Sequence, residues 1–209
     1  EFVKNVDEEK KEIYYLAGKM ALTMLKNSPS LERFKSKDID VLILNEEIDT
    51  IVFPMVTDYK EYKFVNVADA KFEESDEEKK VEEETTKEFD ALLKEFKETL
   101  GDSVKEVEIT SDLTDSPVCL RIDKEDPSYM MAQMMAQMGN PSDVAPVKPI
   151  LQINPNHEIL TKLKNSGDQN LINDAAHVLF DQARIFEGME IEDTSAFISR
   201  MNRIMTKAL

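Results

Sequence analysis

The side chains that could run acid–base, nucleophilic or metal chemistry are few. The chain has two histidines, His157 and His177, and one cysteine, Cys119. Neither histidine stands at metal-ligand spacing from Cys119. His157 follows "INPN" near an expected helix start and reads as structural. His177 has Asp181 four residues on, which reads as a pair on a helix surface. Cys119 sits in the apolar run "SPVCLRI", the setting of an inert buried thiol rather than a nucleophile. Five scattered glycines make no phosphate-cradling loop. The acid pairs Asp38/Asp40 and Glu46/Glu47 are ordinary on an acidic surface, and a hydrolase would have little beyond them to rest on. No catalytic constellation is present, so this chain is expected not to be an enzyme and to hold no metal or cofactor of its own.

One segment is chemically unusual in another way. "SYMMAQMMAQMG" carries Met130, Met131, Met134, Met135 and Met138. On a helix they share one face, spanning about 140°, with Tyr129, Ala132 and Ala136 across from them. Methionine is flexible and polarizable, so such a strip either fills an irregular core gap or stays exposed as an adaptable apolar grip for unrelated partners. The wheel alone does not choose between these. The segment has no Lys or Arg, which disfavours a membrane-surface helix.

The elements around these residues fall into two groups. "EIYYLA" (Glu12 to Ala17), "IDVLIL" (Ile39 to Leu44) and "EYKFVNV" read as strands. The second, an apolar run flanked by charge, is expected to be buried on both faces. Helices are expected over Lys19 to Lys26, in "SLERFKSK" and in "NEEIDTIVFPMV", the last broken near Pro54. This alternation predicts a small α/β unit with a partly parallel sheet. A charged run follows, but Ser75 and Glu78 form a capping-box pattern. Val81, Phe89, Leu92, Leu93, Phe96 and Leu100 then recur at helical spacing up to Gly101. One long helix is predicted there, its first turns solvated, joining two domains.

Beyond it, "VKEVEIT", "SPVCLRI" and "ILQIN" predict a three-stranded sheet, with a Pro-rich loop at Pro141, Pro146 and Pro149 before the third strand. Three helices are predicted to close the chain, over His157 to Lys164, about Asp168 to Glu187, and about Thr194 to Ala208. The expected layout is therefore α/β over 1–72, a connecting helix over 73–100, and an α+β domain over 101–209.

The last helix is cleanly amphipathic. Phe197, Ile198, Met201, Ile204, Met205, Ala208 and Leu209 lie within about 140°, and Asp193 is a fitting N-cap. The helix before it carries apolar residues over roughly 220°, among them Leu179, Phe180, Ala183 and Phe186. Only His177, Asp181 and Arg184 hold a polar strip, with Gln182 an exception. So wide a span calls for burial from two directions. Either the helix is wholly internal, or two helices from each of two subunits form a four-helix bundle about a two-fold axis.

Composition sets the outer limits. The net charge of −17 opposes binding to nucleic-acid phosphates or an anionic membrane. No apolar run is long enough to span a bilayer, and no signal peptide is seen. A single cysteine fits a reducing compartment, here read as the cytoplasm. A chain starting at Glu1 is expected to be a piece of a longer protein.

Several segments, in order, resemble the heat shock protein 90 chaperone family in its bacterial form. "EIYYLAG" resembles that family's I-Y-Y-I-T-G, and "LERFKSKDIDVLIL" its L-E-x-F-K-x-K-G-x-E-V-L-x-M. "LTDSPVCL" is similar to L-x-D-S-P-x-x-L, and "LQINPNHEIL" to E-I-N-P-x-H-x-I-I. "LFDQARIFEGMEIED" and "SRMNRIM" resemble its closing segments. The resemblance implies the end of a middle domain followed by a C-terminal dimerization domain. ATP and Mg would be handled upstream, outside this chain. It also implies a constitutive homodimer through the last two helices. The dimer face would include Leu179, Phe180, Ala183, Phe186, Phe197, Ile198, Met201, Ile204 and Met205. Non-native client proteins would meet an exposed amphipathic helix whose apolar positions match Met131, Met134 and Met135, extended by Met130 and Met138.

The chain departs from the family pattern at Ile51, where an aromatic residue is frequent, at Asp112 in place of Arg, and at Thr194 in place of Pro. It ends "MTKAL", without the acidic tail that docks co-chaperones in eukaryotic members. The rival expectation is a purely structural homodimerization module with the methionine helix in its core.

Overall fold

The computed structural model describes residues 11–70, 72, 75–137 and 147–209. The first sheet is built around β1 (Glu12–Ala17), which runs parallel to both β2 (Val41–Leu44) and β4 (Tyr62–Asn66). A two-residue strand, β3 (Asp58–Tyr59), closes onto β4 as a hairpin, with Lys60 at positive φ in the turn. The order is β2-β1-β4-β3.

Successive residues of β1 face opposite sides. Tyr14 packs edge-on against Phe34, which in turn meets Phe72. Tyr15 turns the other way, onto Phe53 and Phe64. The helices here are short: α1 (Leu22–Lys26), α2 (Glu32–Ser36) and α3 (Glu47–Val52), the last running into a single 3₁₀ turn, Phe53–Met55, at Pro54. The expectation for "IDVLIL" needs correction. β2 is an edge strand whose residues are all half-buried. An apolar run of four cannot by itself distinguish an edge from a central place, and β1 takes the centre because both its faces carry rings.

α4 (Asp76–Leu100) starts at the predicted capping box. The Ser75 hydroxyl accepts from the Glu78 amide at 3.2 Å, and the Glu78 carboxylate accepts from the Ser75 amide at 2.7 Å. It ends at Gly101, whose φ of +53° with ψ of −119° is open only to glycine. Its first turns are solvated, as expected. From Phe89 onward it is part of a core rather than a bridge: Phe89, Leu92, Phe96 and Leu100 are buried with the second sheet.

That sheet has the order β5-β7-β6, formed by β5 (Glu106–Ile109), β6 (Val118–Arg121) and β7 (Ile150–Ile153). β7 is central, parallel to β5 and antiparallel to β6. Between β6 and β7 lies α5 (Pro127–Gln137). Then come α6 (Glu158–Ser166), α7 (Gln169–Phe186) and α8 (Thr194–Ala208). Their N-caps are His157, Asp168 and Asp193, each accepting from an amide of the first turn at 2.8–3.1 Å. The fold is thus mixed α+β, with two small sheets, one long helix, and two buried clusters that share no residue.

Candidate functional site

The methionine helix hangs on an ionic base. Pro127 opens it, and the Asp126 carboxylate accepts from the Ser128 amide at 2.8 Å and from its hydroxyl at 2.6 Å. Lys105, just before β5, donates to both Asp123 (2.8 Å) and Asp126. Hydrogen bonds from Lys105 and Ser128 hold the Asp126 carboxyl well below the usual carboxylate range, and bonding to the two aspartates pushes the Lys105 ammonium up to about 12. All three groups therefore stay charged at neutral pH, and the helix start is tied to the sheet.

On that base the helix shows one side to water. Met130, Met131 and Met134 are 62%, 59% and 56% exposed, while Tyr129, Ala132 and Met135 are half-buried. The wet arc therefore runs from Met130 through Met134 to Met131, and Met135 turns toward the protein. Met138 and the loop positions Pro141 and Pro146 lie outside the described residues.

The residues predicted for a dimer face divide into two sets. Leu179, Phe180 and Ala183 are buried in the chain's own core, against α4 and the sheet. A wheel cannot distinguish a face covered by the protomer from one covered by a partner. Phe186, Phe197, Met201 and Ile204 are half-buried, with Ile204 touching that core, whereas Ile198 and Met205 are 52% and 51% exposed. No residue of α8 is fully buried. The helix is also tied to α7 by polar contacts: Arg203 grips Asp174 with two nitrogens (Nε to Oδ2 at 2.7 Å), and Lys207 reaches Asp168.

The groups weighed for chemistry are not brought together. The His157 ring is spent on capping, its Nδ1 accepting from the Ile159 amide at 3.1 Å. No hydrogen bond or ion pair joins His177 to Asp181. Burial lowers the His177 pKa and raises that of Asp181, and Arg184 bonds to Glu192 instead. The Cys119 thiol is buried, which raises its pKa, and it lies 3.5 Å from the Gln152 amide oxygen. Among the described residues no three His, Cys, Asp or Glu side chains converge in a way that could hold a metal. The groove between α4 and β5, about 620 Å³, is walled by Glu82, Asp90, Glu98, Glu106 and Glu108 together with Lys94 and Lys97, and its lining includes neither His nor Cys. No helix of the described residues is long and apolar enough to cross a membrane.

Sequence reasoning missed one feature of the same region. The Glu32 carboxylate is buried against the turn at 114–116, far away in the chain. Both ends lie in segments that were recognised, "LERFK" and "LTDSP", but nothing in either shows that they meet.

Comparison with known proteins gives a consistent picture. The family model described as Hsp90 protein matches residues 1–209. The chaperone protein HtpG of Sulfurimonas denitrificans is 64% identical over the whole chain, and that of a Sulfurovum species 45% identical, again over the whole chain. The HtpG of Wolinella succinogenes is 39% identical over 209 residues. The chain covers 33%, 33% and 34% of these three proteins, about a third of their length.

Proposed function

Because this chain belongs to the Hsp90 protein family, we propose that it is the dimerization and client-holding part of a chaperone, with Met130, Met131 and Met134 as the grip. The observation that carries this reading is their exposure: three large apolar side chains stand side by side in water on a helix whose base is fixed by charge. Adjacent exposed apolar residues of this size mark a contact surface. Thioethers suit a surface that must accept many shapes, because the side chain re-packs at little cost. Each methionine covered by a client contributes up to about 1.5–3 kcal/mol before ordering costs, so one strip holds weakly.

Two strips on a homodimer hold better through effective concentration. Pairing is assigned to α8 and the end of α7, where Phe186, Phe197 and Met201 are half-buried and Ile198 and Met205 are exposed. Nucleotide binding and hydrolysis are assigned to parts of the whole protein outside this chain. A purely structural module with methionines in its core is disfavoured by the same exposures.

Changing Met130, Met131 and Met134 to Ser tests the grip. We expect affinity for an unfolded model polypeptide to fall by tenfold or more, on the order of the lost burial, with the melting temperature and dimer mass unchanged. Met135 is left in place because it faces inward. Unchanged affinity removes the strip from the mechanism, and a collapsed melting temperature favours the core alternative.

A further inference from the structure

The two buried clusters share no residue, so their mutual placement depends on the junction between them. Besides the packing of the Met20 side chain on Gly188, it holds Glu32, the first residue of α2, which is only 7% exposed. Its Oε2 accepts the amide N–H of Thr114 at 2.6 Å and of Asp115 at 2.9 Å. Its Oε1 accepts that of Ser116 at 3.0 Å, and the Thr114 hydroxyl stands 3.5 Å from Oε2. Three successive backbone N–H groups converging on one carboxylate form an anion nest.

The turn that makes this nest is itself fixed. The Asn154 side-chain amide, fully buried, donates to the Ser116 carbonyl at 3.1 Å, and the Asn154 amide donates to the Pro117 carbonyl at 2.8 Å. Next to Glu32, Arg33 pairs with Asp112 and lies 4.7 Å over the Phe72 ring. A second, more exposed bridge joins Asp69 to Lys124.

The physics of this contact is all-or-none. A carboxylate and three amides that part by an ångström or two stay dry but lose their partners, which is the costliest arrangement for them. Fully seated, they satisfy one another; fully withdrawn, water satisfies them. We propose that Glu32 is a latch: the 114–116 turn is an intramolecular carboxylate receptor, Glu32 is its ligand, and the junction between the two clusters has a seated and a withdrawn state instead of a continuum of angles. The segments "LERFK" and "LTDSP" are then the two halves of one device. The latch is independent of what the methionine helix binds, and its test reads geometry alone.

Spin labels at Lys26→Cys and Lys162→Cys, both exposed and on opposite sides of the junction, report the distance between the two parts. Labelled chains are diluted into unlabelled ones so that only distances within a chain count. The otherwise native chain should give one narrow distribution. Glu32→Gln leaves one oxygen for three N–H groups and aims a donor at the rest. It should add a second population and speed amide exchange at Thr114, Asp115 and Ser116 by on the order of tenfold to a hundredfold, while amides within β4 and β7 keep their protection. Lys124→Ala should resemble the native chain, since an exposed pair contributes little. If Glu32→Gln also costs β4 or β7 their protection, Glu32→Asp, which keeps the charge but falls one methylene short, carries the same two expectations. A distribution in the Glu32 variant that superposes on the native one overturns the latch, as does equal broadening by Lys124→Ala.

Discussion

Glu32 shows how a single residue can be charged, buried and stabilising at once. Burial raises its pKa, but hydrogen bonds from the Ser116 side chain and from the amides of Asp115, Thr114 and Ser116 outweigh it, leaving the pKa below its ordinary 4.5. A depressed carboxylate pKa contributes stability that is present above the unfolded-state value and lost as pH falls through the folded one. Glu32→Gln should therefore destabilise the chain at pH 7 by about 1–3 kcal/mol, and the gap from the native chain should shrink below about pH 4. Urea titrations of both at pH 7 and below pH 4 check this, and a gap independent of pH would mean the carboxylate charge plays no part.

At this scale the sequence was partly readable. The caps at Ser75 and Asp193 follow from local spacing, because donor and acceptor lie within one helical turn, whereas the capping role of His157 was not read from the sequence. Asp112 stood out only as a departure from a family pattern, and its partner Arg33 could not be read from spacing because 79 positions separate them.

Among the elements, the long and periodic ones were legible and the short ones less so. α4 and α8 have the predicted extents, since apolar spacing over four or more turns leaves little choice of face. β3 was missed because a two-residue strand has no period to detect. α7 was understood in part: its wide apolar span does need two coverings, and one of them is α4 with the sheet, which take Leu179, Phe180 and Ala183. What remains uncovered sits mainly on α8. Ile198→Glu with Met205→Glu should therefore give a monomer by sedimentation with unchanged helix content, because neither side chain supports the chain's own core. This is a cleaner test than deleting α8, which would also uncover Ile204's neighbours in the core. A double variant that still sediments as a dimer would move the interface elsewhere.

For the whole molecule, in the proposed dimer the two clusters, the junction at Glu32 and the α8 face would together set where two methionine strips stand. The strip was legible as a face from periodicity, but the wheel gives the same arc whether the sulfurs are wet or dry; exposure was an expectation of the family resemblance alone, and the exposures of Met130, Met131 and Met134 in α5 are what bear on it. The most direct test is a titration of methyl-labelled methionine in the chain with an unfolded polypeptide, followed by NMR. The account predicts that the Met130, Met131 and Met134 methyl signals shift or broaden together with binding, while those of the half-buried Met20 and Met24 stay in place. If the three strip signals stand still while others move, the methionine ridge is not the grip.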